Sequence, residues 1–128
     1  MNYKDVERHC LGLPGAVREE PWSDTTVFKI GGKMFAVIVH DDAHKPIGLW
    51  FKASDYSYEI LTQVPGIGPC PYFWRAKWVE MTGLKPLKPA ELKAYLTRAH
   101  TLVAARLPKK TRRALGIAEE TSSENIYS

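Results

Sequence analysis

The residues best suited to bind a charged ligand lie between Tyr72 and Trp78, where four aromatic rings are interleaved with two cations. Arginine and lysine contact phosphates, and exposed aromatic rings stack on bases or anchor protein interfaces. Tyr72 and Trp74 are therefore candidate ligand or partner contacts, and Arg75 and Lys77 are candidate phosphate contacts. In an extended segment, Trp74 and Trp78 would share one face and the cations the other, which favours the core for Trp78 and leaves Trp74 open.

The positive charge of the chain is concentrated from this segment onward. The whole chain has a net charge of +4, but residues 75–113 carry 11 Lys or Arg against two acidic residues. Such a block attracts polyanions, of which nucleic acid is the commonest, although a solvated basic surface has the same composition. The candidate phosphate contacts are Arg75, Lys77, Lys109, Lys110, Arg112 and Arg113, with Lys29 and Lys33 of a predicted hairpin as additions.

Other reactive side chains have simpler structural explanations. Asp41, Asp42 and His44 form a local grouping of metal-ligand types, but these residues are also typical of a polar turn, which is the favoured interpretation. Cys70 stands between two prolines in a loop, where exposure would make it a third ligand or partner contact, although no neighbour lowers its pKa. We expect no metal site.

Known catalytic and cofactor motifs do not occur in the sequence. Gly31 and Gly32 precede a lysine but lack the spacing of a phosphate-binding loop, and a two-residue hairpin turn explains them. Glu19 and Glu20 are adjacent, so in a strand they point to opposite faces and cannot form an acid–base pair. We therefore expect a non-enzymatic protein without a cofactor.

The elements that position these residues are hairpin strands between helices. Asn2 is predicted to cap a first helix, Ser54 or Asp55 a second that runs to about Gln63, and Pro89 opens a final helix that Pro108 stops. Apolar patterning and turns predict the strands Thr25–Ile30, Lys33–His40, Ile47–Lys52 and Lys77–Thr82. In the second of these strands Phe35, Val37 and Val39 are predicted to share one face, opposite Met34, Ala36 and Ile38.

This order of elements predicts an α+β fold, a two-layer sandwich in which an antiparallel sheet of four or five strands is flanked by N-terminal, middle and C-terminal helices. The 128 residues suit one domain, predicted over 1–115, followed by a polar tail over 116–128. Five of the seven residues in Pro65–Pro71 are Gly or Pro, which predicts a shaped loop.

Length and composition exclude several classes of protein. Hydrophobic residues make up 45% of the chain and charged residues 25%, which are globular proportions. No apolar run is long enough to cross a membrane, and the first residues lack the apolar run of a secretory signal. We expect a cytoplasmic protein with reduced thiols and no membrane partner. The oligomeric state stays open, and a monomer is compatible with the sequence.

The order and spacing of several short motifs resemble the MmcQ/YjbR family of small bacterial proteins over residues 4–115. The motifs are Leu13-Pro14-Gly15, Glu19-Glu20 with Trp22, Val27–Ala36, Pro71–Val79 and Leu107–Lys110. The resemblance implies a two-layer fold with an antiparallel sheet, similar to frataxin-type (CyaY-like) and secretion-chaperone-like architectures. It also implies DNA binding by a pair of wing-like hairpins, and it carries over no catalytic residues.

The chain departs from the family pattern ahead of Trp78. Family members often have an Asn-Lys pair and a His there, whereas this chain has Trp74-Arg75 and Lys77. Our leading hypothesis is binding to DNA through phosphate contacts that do not depend on base sequence. The alternative is a protein-interaction or small-ligand module that uses the aromatic loop from Pro65 to Trp74. A frataxin-like metal role ranks third, because the first helix contains only two acidic residues, and an unrecognised enzyme ranks last.

Overall fold

The computed structural model describes residues 1–22 and 24–117, which form four α-helices and six strands. The helices are α1 (Tyr3–Leu11), α2 (Asp55–Leu61), α3 (Pro89–Ala104) and α4 (Lys109–Ala114). The strands are β1 (Val17–Glu19), β2 (Thr25–Ile30), β3 (Lys33–His40), β4 (Pro46–Lys52), β5 (Ile67–Pro69) and β6 (Trp78–Thr82). The predicted α+β class is confirmed.

All six strands belong to one antiparallel sheet, in the order β1-β2-β3-β4-β6-β5. The sequence predicted four or five strands, and the difference lies in β1 and β5, which have three residues each. β5 falls inside Pro65–Pro71, which was predicted to be a loop. An edge strand tolerates proline because one side of it needs no hydrogen-bond donor.

The helices begin where the capping residues predicted. The Asn2 side chain accepts a hydrogen bond of 2.9 Å from the Asp5 backbone N–H, and Ser54 caps α2. Pro89 occupies the first turn of α3, although α3 ends at Ala104, before Pro108. None of the described helices is long and apolar enough to span a membrane.

The larger core lies between the sheet and the helices α1 and α3. Its buried side chains include Val6 and Cys10 from α1, Leu96 from α3, and Phe28 and Phe51 from the sheet. Ile117 also packs against this core at the end of the described residues. Residues 118–128 of the predicted tail lie outside them, so the boundary at 115 stays a prediction.

A β-bulge corrects the predicted faces of β3. Phe28 pairs with Ala36 and Lys29 with Met34, so Phe35 has no partner in β2. The extra residue rotates the chain, and Phe35 therefore joins Ala36 on the helix side instead of sharing a face with Val37. The ring of Phe35 meets the buried ring of His100 edge-on, with centroids 5.3 Å apart.

The opposite face of the sheet has a smaller core of Val27, Val37, Cys70 and Trp78. Phe73 packs against Trp78 from the loop between β5 and β6, with ring centroids 5.7 Å apart. Trp78 is therefore a core residue, as its position predicted.

The turn between β2 and β3 holds Gly31 and Gly32, both at positive φ (57° and 81°). This backbone conformation joins two strands tightly and is strained for other residues. The two glycines differ in their surroundings. A methyl group at Gly31 would lie 2.6 Å from Cδ1 and 2.9 Å from Cδ2 of Leu107, whereas nothing lies within 4 Å of one at Gly32.

We expect Gly31→Ala to destabilise the fold more than Gly32→Ala. Both variants incur left-handed backbone strain of about 1 kcal/mol. Gly31→Ala also displaces the buried side chain of Leu107, which adds about 1–3 kcal/mol of overpacking. Urea unfolding of both variants checks this difference, and equal losses would contradict the contact with Leu107.

Candidate nucleic-acid interface

Antiparallel pairing brings several cations to one end of the sheet. β3 begins, β4 ends and β6 begins at this end, and α3 ends beside it. Lys33, Lys52 and Lys77 stand at these strand ends, Arg75 precedes Lys77, and Arg106 follows α3. We call these five residues the basic end.

Lys52 lies in the middle of the basic end. Its ammonium group donates hydrogen bonds to the carbonyl of Ala53 at 3.1 Å and to that of Ala76. Burial lowers the pKa of Lys52, and the charges of Arg106 and Lys77 lower it further, while Asp55 opposes them. The ammonium group of Lys52 is therefore partly withdrawn from water, with the cations of Arg106 and Lys77 as electrostatic neighbours.

Two cations of the basic end rest on aromatic rings instead of carboxylates. The guanidinium of Arg75 lies 5.2 Å from the ring centre of Trp74, and the ammonium of Lys77 lies 4.9 Å from that of Tyr58. Across residues 1–22 and 24–117, no carboxylate lies within ion-pair distance of the basic end. The ion pairs found among the described residues lie elsewhere, and they are Arg8–Asp5, Arg18–Glu7, Arg18–Glu20 and Lys29–Glu19.

Two hairpin loops project from the basic end. One is the Gly31-Gly32 turn between β2 and β3, and the other is the segment 70–77 between β5 and β6. In the sheet order, the midpoints of the two loops are three strand spacings apart. This corresponds to a distance of about 14 Å. The turn between β3 and β4 lies at the opposite end of the sheet.

A comparison with protein families identifies the chain: the family model named YjbR matches residues 11–102. The chain belongs to the YjbR family. The match lies within the 4–115 range of the predicted resemblance. Among curated proteins, none matches the chain.

Two solved structures share this YjbR architecture. A crystal structure of a Deinococcus radiodurans protein with the domain DUF419 superposes with a TM-score of 0.79 at 25% identity, covering 94% of this chain and 91% of that one. A crystal structure of a Pseudomonas syringae protein gives 0.63 at 20% identity, covering 80% and 98%. The second similarity concerns the fold alone.

The structure of this YjbR chain sorts the predicted phosphate contacts into groups. Lys33, Arg75 and Lys77 belong to the basic end. Lys29 does not, because its ammonium group lies 3.1 Å from the Glu19 carboxylate across the β1–β2 pair. Three further predicted cations, Lys109, Lys110 and Arg113, have exposed side chains on α4.

Arg112, the fourth predicted cation of α4, differs from the other three in its contacts. Its guanidinium turns inward and donates a hydrogen bond of 3.2 Å to the Ala105 carbonyl, at the end of α3. Its Nε atom is buried. Arg112 therefore links α4 to the end of α3.

We expect Arg112→Ala to lower the free energy of unfolding by about 1 kcal/mol, because the Ala105 carbonyl loses a charged donor. Lys110→Ala on the same helix should change it by less than about 0.5 kcal/mol, since its side chain is exposed. Urea unfolding compares the two variants. A larger loss for Lys110→Ala would contradict the assignment of Arg112.

The aromatic residues of the predicted site differ in exposure. Tyr72 is 90% exposed and Trp74 49% exposed, so both can contact a ligand. The segment is not extended as considered from the sequence: Trp74–Ala76 is a turn of 3-10 helix. Cys70 is fully buried, so it lacks the exposure on which its proposed contact with a ligand or partner rested.

Both thiols of the chain should react slowly in the folded protein. Burial raises the pKa of Cys10 and of Cys70 to about 12 each, with added effects from Glu7 and Glu80. At pH 8 the thiolate fraction of each folded thiol is then about two-thousandfold lower than in the unfolded chain, where the pKa is about 8.5. We expect DTNB to label neither thiol before guanidinium is added, and rapid labelling without it would contradict this burial.

The residues of the predicted turn between β3 and β4 serve the turn itself. The Asp41 carboxylate accepts hydrogen bonds of 2.9 Å from the backbone N–H groups of Ala43 and Lys45. His44 has a φ of 61° within the turn. The part of the chain that the structure describes contains no group of three or more His, Cys, Asp or Glu placed to hold a metal ion.

Two residues of the basic end, Lys52 and Arg106, were missing from the predicted site. Lys52 ends a predicted strand, whereas Arg106 lies within the helix that Pro108 was predicted to stop, two residues beyond the observed end of α3. Sequence spacing alone does not show that the end of β4 and the end of α3 meet. Pairing β3 with both β2 and β4 in the predicted hairpins would have placed Lys33 and Lys52 at one end.

Proposed function

We propose that this protein is a non-enzymatic, cytoplasmic DNA-binding protein that contacts phosphates through the basic end. The observation that carries the proposal is the meeting of five cations from four segments of the chain, with no carboxylate at ion-pair distance among the described residues. Unpaired cations at one surface create a positive field that attracts the DNA backbone and releases its counterions.

The two loops of the basic end suit a duplex. Their separation of about 14 Å is comparable to the width of the major groove, about 12 Å. Lys33, next to one loop, and Arg75, in the other, can then contact phosphates on both sides of a groove, as in the paired hairpins that the family resemblance implies. α4 begins two residues after Leu107, and the exposed side chain of Lys110 on this helix adds a cation beside the basic end.

Binding to two labelled duplexes of unrelated sequence tests this proposal. Phosphate contacts carry no base information, so we expect affinities within about threefold of each other at 50 mM salt. Contacts to base edges would instead make the affinity for one duplex much higher than for the other. Absence of saturable binding to either duplex at 50 mM salt would overturn the proposal.

A second candidate function is recognition of a protein partner by the aromatic loop. Tyr72 and Trp74 stand exposed beside Arg75, a combination enriched at interface hot spots. Trp74→Ala should leave the unfolding transition unchanged because the ring is half exposed. A labelled partner that loses affinity for Trp74→Ala, but not for Lys33→Glu, would favour this candidate over DNA.

A further inference from the structure

A cavity of about 180 Å³ opens within the basic end. Its walls are apolar and come from Trp78, Leu102, Val103 and Leu107. Trp78 and Leu107 are buried, and the other two are half-buried. Lys33, Lys52 and Arg106 complete the lining, so three cations surround an apolar space.

Lys52 is held in place within this cavity, and none of its three cations has a counter-charge in the lining. The carbonyls of Ala53 and Ala76 fix the ammonium group of Lys52. Among the described residues that line the cavity none is acidic, and Asp55 acts on Lys52 only at a distance. An anion bound between Lys52 and Arg106 would relieve the mutual repulsion of these two side chains.

The size and walls of the cavity select the rest of the ligand. A cavity of about 150 Å³ lined by apolar side chains holds one benzene molecule. The present cavity accommodates a body of that size and leaves room for an acidic group toward the cations. A hydrated inorganic anion would gain nothing from the apolar walls, and a neutral ring would leave the cations unpaired.

We propose that this cavity binds a small organic anion, with a single-ring apolar body against Trp78 and Val103 and a carboxylate or phosphate between Lys52 and Arg106. The proposal does not depend on DNA binding, because it concerns the interior of the cavity, whereas phosphate contacts of DNA need only the exposed cations. The same cations do serve both, so such a ligand would compete with DNA.

Calorimetric titration with matched probes tests the proposal. Phenylacetate and phenyl phosphate carry ring and charge, benzyl alcohol carries the ring alone, and inorganic phosphate the charge alone. We expect one-to-one binding of at least one of the first two, about tenfold tighter than either control. Equal binding of benzyl alcohol, or no binding of both organic anions at millimolar concentration, would overturn the proposal.

Two variants locate the binding in the cavity. Val103→Trp fills the space and should abolish binding of the organic anion while DNA affinity stays unchanged. Lys52→Met keeps the length of the side chain and should weaken the anion about tenfold. Arg106→Gln, at an exposed position, should weaken binding of the anion too, and it replaces Lys52→Met as the test if that variant does not fold. Unchanged anion affinity in folded Val103→Trp would contradict the site, and Lys45→Met is the control at the opposite end of the sheet.

Discussion

The triple variant Lys33→Glu, Arg75→Glu and Arg106→Glu is expected to bind duplex DNA about two to three orders of magnitude more weakly than the unmodified protein. The three side chains are exposed cations that come from different segments of the basic end. For each phosphate contact, the affinity rises by about 0.9 of a decade when the salt concentration falls tenfold. The loss of three contacts therefore accounts for an effect of this size near 0.1 M salt. Fluorescence anisotropy of a labelled duplex measures it.

A control variant separates the position of the charges from net charge. Lys45→Glu, Lys85→Glu and Lys93→Glu change the net charge equally, but these exposed residues lie toward the opposite end of the sheet, in the β3–β4 turn, after β6 and early in α3. We expect this control to lose about tenfold or less, by long-range repulsion alone. Equal losses in the two triple variants would show that net charge, and not the basic end, governs binding.

Phe35→Ala should have the largest effect on stability. The Phe35 side chain is fully buried at the bulge of β3, where it packs with Phe28 and against the ring of His100. Truncation removes most of its apolar contacts and leaves a cavity that the sheet and α3 cannot close, which costs about 3–5 kcal/mol. Urea unfolding measures the loss.

Two controls accompany this prediction. Phe35→Leu keeps most of the volume and should lose about 1–2 kcal/mol. Tyr72→Ala removes an aromatic ring that is 90% exposed and should change stability by less than about 0.5 kcal/mol. A loss below 1 kcal/mol for Phe35→Ala would mean that Phe35 faces away from the helices, as simple alternation along β3 predicts.

Phe35 also shows where prediction from sequence reaches its limit. Gly31-Gly32 and the flanking apolar runs are local signals, and they located the β2–β3 hairpin with its bounds. A bulge depends on the pairing of two strands, and nothing in KMFAVIVH marks the residue that leaves the ladder. Alternation therefore placed Val37 correctly relative to Ala36, and placed both Phe35 and Met34 on the wrong faces.

The candidate site divides in the same way between local and long-range information. The aromatic and cationic composition of 72–78 identified Trp74, Arg75 and Lys77, since composition is visible in the sequence. The inward turn of Arg112 depends on where α4 packs against α3, and the burial of Cys70 depends on how the loop folds over Trp78. Lys52 and Arg106 lie 54 positions apart in the sequence, and only the fold brings them to the same cavity.

The salt dependence of DNA binding tests the central claim most directly. A labelled duplex is titrated with the protein at about 50 and 200 mM salt and followed by fluorescence anisotropy. The five cations of the basic end and Lys110 of α4 offer six phosphate contacts, so we expect the affinity to fall by about three orders of magnitude between these salts. Binding that is absent at the lower salt, or that does not weaken at the higher one, would contradict a function based on phosphate contacts.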